Sequence, residues 1–355
     1  MFRVYIKDRL DLGGKSIGNF RVTSFKVKRD CLAKATSSVR LEKEATEIKE
    51  GDILTLYDDS GREFYRGVII RQERELIECS QINALFSDSW KWELPEENSI
   101  EESIVSVIDS HFRNNDDDLL RKTFAPFELS PISETVGTFP TQNSDFVMNF
   151  EKFTYDIFDK YSVRLYFDFD FQPRAPSIEI GLKSLPKIKI GDNNNAIQNM
   201  SPIVEIYETN KLIIYSREKT EDDVVTPPQL REVWYASKNG ITNDSSEESR
   251  LPKINTKIVF TDDEVDVVIA QHLREEMYNH KLTLDLVIDN KLYDFFSFDL
   301  GQEFDIWKGQ NYFNTILTAY ELEQTEDKKL SIAKMTFGKV RTALVNKVQV
   351  AESEW

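Results

Sequence analysis

The stretch Gly51–Arg71, GDILTLYDDSGREFYRGVIIR, returns in altered form from Gly301 as GQEFDIWKGQNYFNTILTAYE. Each copy opens on Gly and a polar residue, then alternates toward a bulky aromatic: Leu54, Leu56 and Tyr57 in the first, Phe304, Ile306 and Trp307 in the second. A polar turn with Gly61 or Gly309 follows, and then a second strand opening on an aromatic pair, Phe64–Tyr65 or Tyr312–Phe313. Both second strands run on into branched apolar residues (Val68, Ile69 and Ile70; Ile316 and Leu317), and the second turn is two residues shorter. Alternating apolar runs about a Gly-bearing turn are the signature of a β-hairpin. Any two hairpins share that grammar, but here order, spacing and flanks agree, which favours a duplicated β-unit near the two ends of the chain. Gly51/Gly301, Tyr57/Trp307 and Phe64/Tyr312 are its matched positions.

A chain of 355 residues exceeds what one core usually serves, so two to four domains are expected. With 40% hydrophobic and 12% aromatic residues it has material for packed cores. The 45 basic against 62 acidic side chains give a formal charge of −17, and no basic stripe is visible to displace counterions from nucleic acid. Such a surface repels polyanions, so DNA can pass by it without adsorbing. Two cysteines, Cys31 and Cys79, each inside a strand-like run, read as buried free thiols rather than a disulfide framework, which fits assembly in a reducing cytoplasm. The N-terminal MFRVYIKDR has no apolar core for a secretory signal, and no run approaches the ~18 residues that span a bilayer.

Residues 1–95 read as a small antiparallel barrel of about six strands. In NFRVTSFKVKRD, Phe20, Val22, Phe25 and Val27 alternate with polar residues, and WKWELP closes the segment. Residues 96–200 read as an α/β insert. Ser99 and Glu102 form a capping box ahead of Ile100, Ile104, Val105, Ile108 and Phe112 at helical spacing. A second helix from Asp145 carries Phe146, Phe150, Phe153, Ile157 and Tyr161, followed by the period-two strand VRLYFDFDF. Residues 201–345 return to β and read as a second barrel, with a tight turn at Asn239–Gly240 and one inserted helix over about 261–278, opened by a Thr261/Glu264 capping box. Residues 346–355 form a tail. The fold class is α+β, mainly β: two similar small antiparallel β-barrels separated by an α/β insert domain.

A search for catalytic groups finds little. His111, His272 and His280 are the three histidines, each read as a core or capping residue. No HExxH, GxSxG, paired CxxC or Gly-rich phosphate loop is present, so no catalytic, cofactor or metal residue is assigned. Asp168 and Asp170 alternate between Phe167, Phe169 and Phe171 as a hydrolase carboxylate pair would, though a solvated strand face accounts for them better. Asp116–Asp118 and Asp262–Glu264 lack the spacing of an EF-hand loop. Trp90, Trp92, Trp234 and Trp307 fall in predicted strands and are expected in the core, with a sugar platform second; Trp355 is either loose or held by a partner.

The opening run FRVTSFKVKRD…KATSSVRLEKEATEIKEGDILTLYDDSGREFYRGVI resembles the first barrel of the phage baseplate hub proteins, also called tail-associated lysin or prophage endopeptidase tail proteins. REVWYASKNGIT, EMYNHKLTLDLVID, LGQEFDIWKGQNYFNTILTAYEL and MTFGKVRTAL follow in the order of that family, so the resemblance covers about residues 1–345. Its motifs are strand and turn patterns, not catalytic residues. What it implies is a trimeric structural adaptor without a cofactor. Six quasi-equivalent barrels would face the six-fold tail tube or distal tail ring, and a three-fold face would receive a spike or fibre. Implied partners are the tape measure protein and receptor-binding or fibre proteins, with DNA passing through unbound and no membrane insertion. The implied location is the virion tail tip, after assembly in the bacterial cytoplasm. Many members continue into a peptidase, glycosidase or fibre region where this chain stops at Trp355, so an enzymatic role is not expected. A cell-wall hydrolase and a carbohydrate-binding module stay open as alternatives.

Overall fold

The computed structural model describes residues 2–11, 16–87, 89–91, 99–113, 127–136, 147–169, 176–192, 194–205, 209–221, 224–237, 240–251, 254–273, 279–288, 290–325 and 332–338. Two compact units emerge, residues 1–201 with 282–355, and residues 202–281.

The first unit opens with β1 (Arg3–Lys7), β2 (Gly18–Asp30), β3 (Thr36–Leu41), β4 (Ile53–Tyr57), β5 (Glu63–Glu73) and β6 (Leu76–Gln81). They pair in the order β1-β4-β5-β6-β3-β2, and β1 pairs back on β2, closing a six-stranded antiparallel barrel. Closure removes the unpaired edges that an open sheet of this size would expose. Val4, Ile6, Val39, Leu54, Leu56 and Ile77 fill it, each fully buried.

The insert adds β7 (Ser89–Lys91), α1 (Ile100–Ile108), β8 (Glu128–Pro131), β9 (Val147–Asn149), α2 (Phe150–Tyr161), β10 (Arg164–Asp168) and β11 (Ser177–Gly181). The Ser99 hydroxyl caps α1 by accepting from Glu102 N at 3.2 Å, but Glu102 Oε2 finds no partner, so only half of the expected capping box forms. Asn149 caps α2, accepting from Lys152 N at 3.1 Å. This helix starts five residues later than expected because 147–149 pair with β7 instead, and Phe146 lies outside the described residues. Both helices bury one face against β10-β11-β8 around Phe86, Phe112, Phe150 and Phe153.

The chain then forms β12 (Ile188–Gly191) and β13 (Ile197–Glu205). Next come β14 (Lys211–Tyr215), β15 (Lys219–Glu221), β16 (Val224–Thr226), β17 (Leu230–Ser237), β18 (Gly240–Thr242), β19 (Thr256–Phe260) and α3 (Val265–His272) of the second unit. Here Leu212, Ile214 and Ala236 from the sheet β18-β17-β14-β19 pack on Val268, Ile269 and Leu273. Ser237 pairs with Gly240, so Gly240, expected in the turn, belongs to β18; residues 238–239 lie outside the described residues. Helix α3 is shorter than expected, with extended Leu273 as its C-cap; Thr261 Oγ1 accepts from Asp263 N rather than from Glu264, so the second capping box is absent, and 274–278 lie outside the described residues.

Finally β20 (Asn279–Val287), β21 (Glu303–Lys308), β22 (Asn311–Gln324) and β23 (Ile332–Phe337) return to the first unit. With β12 and β13 they pair in the order β12-β21-β22-β23-β20-β13. Counted along the chain, that is the same first-fourth-fifth-sixth-third-second order as the closed barrel. Two departures correct the expectation of a matching antiparallel barrel. Strand β12 runs parallel to β21, whereas β1 runs antiparallel to β4, and among the described residues β12 pairs with β21 alone, leaving the sheet open beside β13. The reason is the direction of approach. The chain arrives from the insert at the start of β21, where Gln302 Nε2 donates to Pro186 O at 2.7 Å, and must then run along β21 the same way. The strands of 211–260, expected in this barrel, pair instead in the sheets of residues 202–281. β2 outlasts its own barrel and pairs Phe25–Asp30 with β22 Ala319–Gln324, joining both halves into one sheet.

Candidate functional site

The two hairpins open on the same backbone hydrogen bonds. Gly51 and Gly301 take left-handed φ values of +91° and +77°, the region that favours glycine. Gly51 N donates to Ile69 O at 2.8 Å and Ile69 N returns to Asp52 O at 2.9 Å; Gly301 N donates to Leu317 O at 2.7 Å and Leu317 N returns to Gln302 O at 3.0 Å. The polar residue after each glycine reaches back three residues, Asp52 Oδ2 accepting from Lys49 N and Gln302 Oε1 from Asp299 N. The registers then agree at Leu54↔Gly67 with Phe304↔Thr315 and at Leu56↔Tyr65 with Ile306↔Phe313, and differ next to the turn, where a bulge after Leu56 pairs Tyr57 with Glu63 while Trp307 pairs with Tyr312. Each copy even breaks register at the same place on the next strand, after Ile69 and after Leu317. A Cβ on Gly301 would stand 3.2 Å from Phe158 Cε2, and one on Gly51 2.7 Å from the flexible Arg9 Nη1. Gly51→Ala and Gly301→Ala are each expected to cost about 1–2 kcal/mol from the left-handed backbone, measured as a lower urea midpoint at unchanged slope.

The remaining repeat positions differ in cover. Phe64 is buried, its ring 5.4, 5.6 and 5.7 Å from those of Phe2, Phe25 and Phe296, and Tyr57 meets Tyr5 edge-on at 5.1 Å. Their counterparts Tyr312 and Trp307 are 53% and 37% exposed, with rings 5.2 Å apart. Core packing was expected for Trp307; the alternation of β21 turns Phe304 and Ile306 inward and leaves Trp307 outside. Tyr312 Oη donates to Asp305 Oδ1 at 2.7 Å, Asn314 Nδ2 donates at 3.1 Å, and Lys187 pairs with Glu303 and Asp305. The Tyr312 hydrogen bond, then that of Asn314 and the Lys187 charge, hold the Asp305 carboxyl below its ordinary range. The first hairpin's outer face is covered by the insert, whose core takes in Ile53 and Val68, whereas the second presents this aromatic pair to solvent.

Where the first barrel, the insert and the second barrel-like sheet meet lies a cleft of about 240 Å³, lined among others by Arg29, Arg66, Arg164, Asp30, Glu63 and Asp299. Arg164 Nη2 and Arg29 Nη2 approach Asp299 Oδ1 at 3.3 and 3.8 Å, and Arg164 also donates to Leu300 O. Arg29 Nη1 donates to Tyr320 Oη at 3.4 Å, which donates to Phe64 O at 3.0 Å. Burial alone would raise Asp299, but the two guanidiniums pull it below the ordinary carboxylate range. Cations and carboxylates interleave here, so the cluster reads as an ion-paired joint between modules.

Burial lowers His111, and burial with the Lys257 charge pushes His272 down to about 4, so both are neutral at physiological pH. The His280 and Trp90 side chains, and Trp92, Trp355, Asp116–Asp118 and Asp170, lie outside the described residues. Trp234 is half-buried against the α3 core, its Nε1 donating to Glu232 at 2.6 Å. Cys31 and Cys79 are buried free thiols, Cys31 Sγ donating to Thr318 O. Among the described residues no three His, Cys, Asp or Glu side chains are grouped to hold a metal, and no helix is long and apolar enough to cross a membrane.

No protein-family model and no curated protein sequence matches the chain. Among the solved structures similar to it along nearly its whole length are the following three. A protein of the phage P2 baseplate in its activated conformation with Ca aligns with a TM-score of 0.52 and 12% identity over 95% of this chain and 98% of that one. The 43 kDa tail protein of prophage MuSo2 from Shewanella oneidensis aligns with a TM-score of 0.55 and 10% identity over 95% and 98%. Prophage tail protein gp18 from Listeria monocytogenes EGD-e aligns with a TM-score of 0.51 and 12% identity over 98% of each chain. The chain therefore has the fold of phage baseplate and prophage tail proteins.

Proposed function

We propose that the chain is a structural protein of a phage or prophage tail baseplate: a trimeric hub between a six-fold tail tube or distal tail ring and a three-fold tip. The observation that carries this reading is the repeated strand order with its matched hairpin entry and register break. One chain with two such halves, set around a three-fold axis, presents six similar surfaces to a six-fold neighbour. The other face stays three-fold for receptor-binding or fibre proteins, and the tape measure protein and DNA pass along the axis. Three subunits carry 3 × −17, that is −51, which lets DNA slide without adsorbing. The role is structural and not enzymatic, and its location is the virion tail tip after assembly in the host cytoplasm. Light scattering on the purified protein tests the trimer: the expected mass is three times 41.3 kDa, about 124 kDa. A species that stays at 41.3 kDa at every concentration, with and without a tail-tube ring, refutes it.

A further inference from the structure

Within one chain, the first hairpin already has a seat on the second half. Phe64 packs on Phe296 at 5.7 Å, Arg62 pairs with Asp294 at 2.7 Å, and the same guanidinium lies 4.7 Å over the Phe296 ring. The seat is the segment before Gly301. Its counterpart in the first half is the β3–β4 loop, residues 42–50, before Gly51. The two segments occupy the same place on their sheets. Phe295 meets Tyr320 of β22 at 5.2 Å, and Ala45 O accepts from Gln72 Nε2 of β5 at 2.6 Å, at positions the matched hairpins equate. Phe298 and Ile48, three residues before each glycine, both pack on the shared core.

The chain thus has two hairpins and two seats, but joins one hairpin to one seat. Left over are the second hairpin, with Trp307 and Tyr312 exposed, and the 42–50 loop, with Glu44, Thr46 and Glu47 exposed. We infer that the Trp307–Tyr312 pair is the docking surface for the β3–β4 loop of a second copy of this chain. This rests on the trimeric reading and names the contact that builds it. A head-to-tail contact of this kind closes into a ring when its rotation permits. Three features of the unused surfaces fit it. The loop carries the small Thr46 where the internal seat carries Phe296, which leaves room for the exposed Trp307–Tyr312 pair. An acid, Glu44, stands at the Asp294 position, and β21 ends at the second hairpin's turn on Lys308, whose ammonium gives one hydrogen bond to Met200 O at 2.6 Å and has two donors left. Beyond Val68, β5 pairs with β6 alone among the described residues, which leaves open the edge at which β22, its counterpart, receives β2. Its exposed Ile70 borders that vacant edge.

Disulfide trapping tests the contact. Thr46→Cys and Gln310→Cys are made in separate full-length proteins, so a bond between them must join two copies; Cys31 and Cys79 are buried and stay silent. The mixture is expected to give a linked dimer on mild oxidation, and neither protein alone should. In the unmodified chain, Trp307→Ser with Tyr312→Ser should raise the concentration needed for assembly by about tenfold or more, with an unchanged circular dichroism spectrum. A trimeric mass without the mixed disulfide would overturn this contact and leave the trimer standing, with another tail protein as occupant of the aromatic pair. A monomer at all concentrations and no disulfide would overturn both.

Discussion

Phe304→Ala is expected to destabilise the first unit by about 3–5 kcal/mol, and Leu54→Ala at the matched position by about 2.7–5 kcal/mol. Both side chains are fully buried at the same place in their hairpins, opposite Thr315 and Gly67. Phe304 meets the Phe298 and Phe337 rings edge-on at 5.2 and 5.0 Å, so truncation removes aromatic contacts as well as area and leaves a cavity that rigid strands cannot close. The pair also asks whether the halves fold together. Leu54 and Phe304 belong to one continuous core, and β2 hydrogen-bonds across to β22. One urea transition, shifted by either substitution, is the expected result. Two transitions, each answering to only one variant, would show that the halves unfold independently.

Asp299→Ala should cost about 2–3 kcal/mol, because it strips Arg164 of its carboxylate partner at the joint. The Arg164 side chain is only 9% exposed, so water replaces little of what is lost; Asp299 itself is 31% exposed, which keeps the figure below that of a fully enclosed pair. The same joint sets a pH dependence. The Asp299 carboxyl titrates lower in the folded protein than its ordinary 3.8, since Arg164 and Arg29 outweigh its burial. Its contribution is therefore complete above the unfolded value and disappears as pH falls from there through the folded value. The stability gap between the native chain and Asp299→Asn, measured by denaturant titration, should be constant near neutrality and narrow only below about pH 4. A gap that persisted unchanged in acid would assign the effect to packing.

The two hairpins could be read from sequence because a hairpin is local: its register follows from alternation and its turn from a few residues. Gly51 and Gly301 declared themselves in the same way, each standing where the backbone needs a left-handed residue and each followed by the polar side chain that folds back on the turn. Helix caps at Ser99 and Asn149 are equally short-range, and Ser99 was legible because its partner donor lies three residues on. Membership of a sheet is another matter. Leu212 and Ile214 alternate as barrel strands do, and nothing within a few residues says that they face α3 in a separate unit. Strand β12 was hidden for the same reason, since its direction depends on where the insert releases the chain. Exposure of Trp307 and Tyr312, and the meeting of Arg29 and Arg164 on Asp299, join residues far apart in sequence. Sequence alone determined the repeated local geometry, because neighbouring residues create it. Tertiary structure decided which surfaces were covered and which charges met, because burial and pairing depend on partners that no local pattern names.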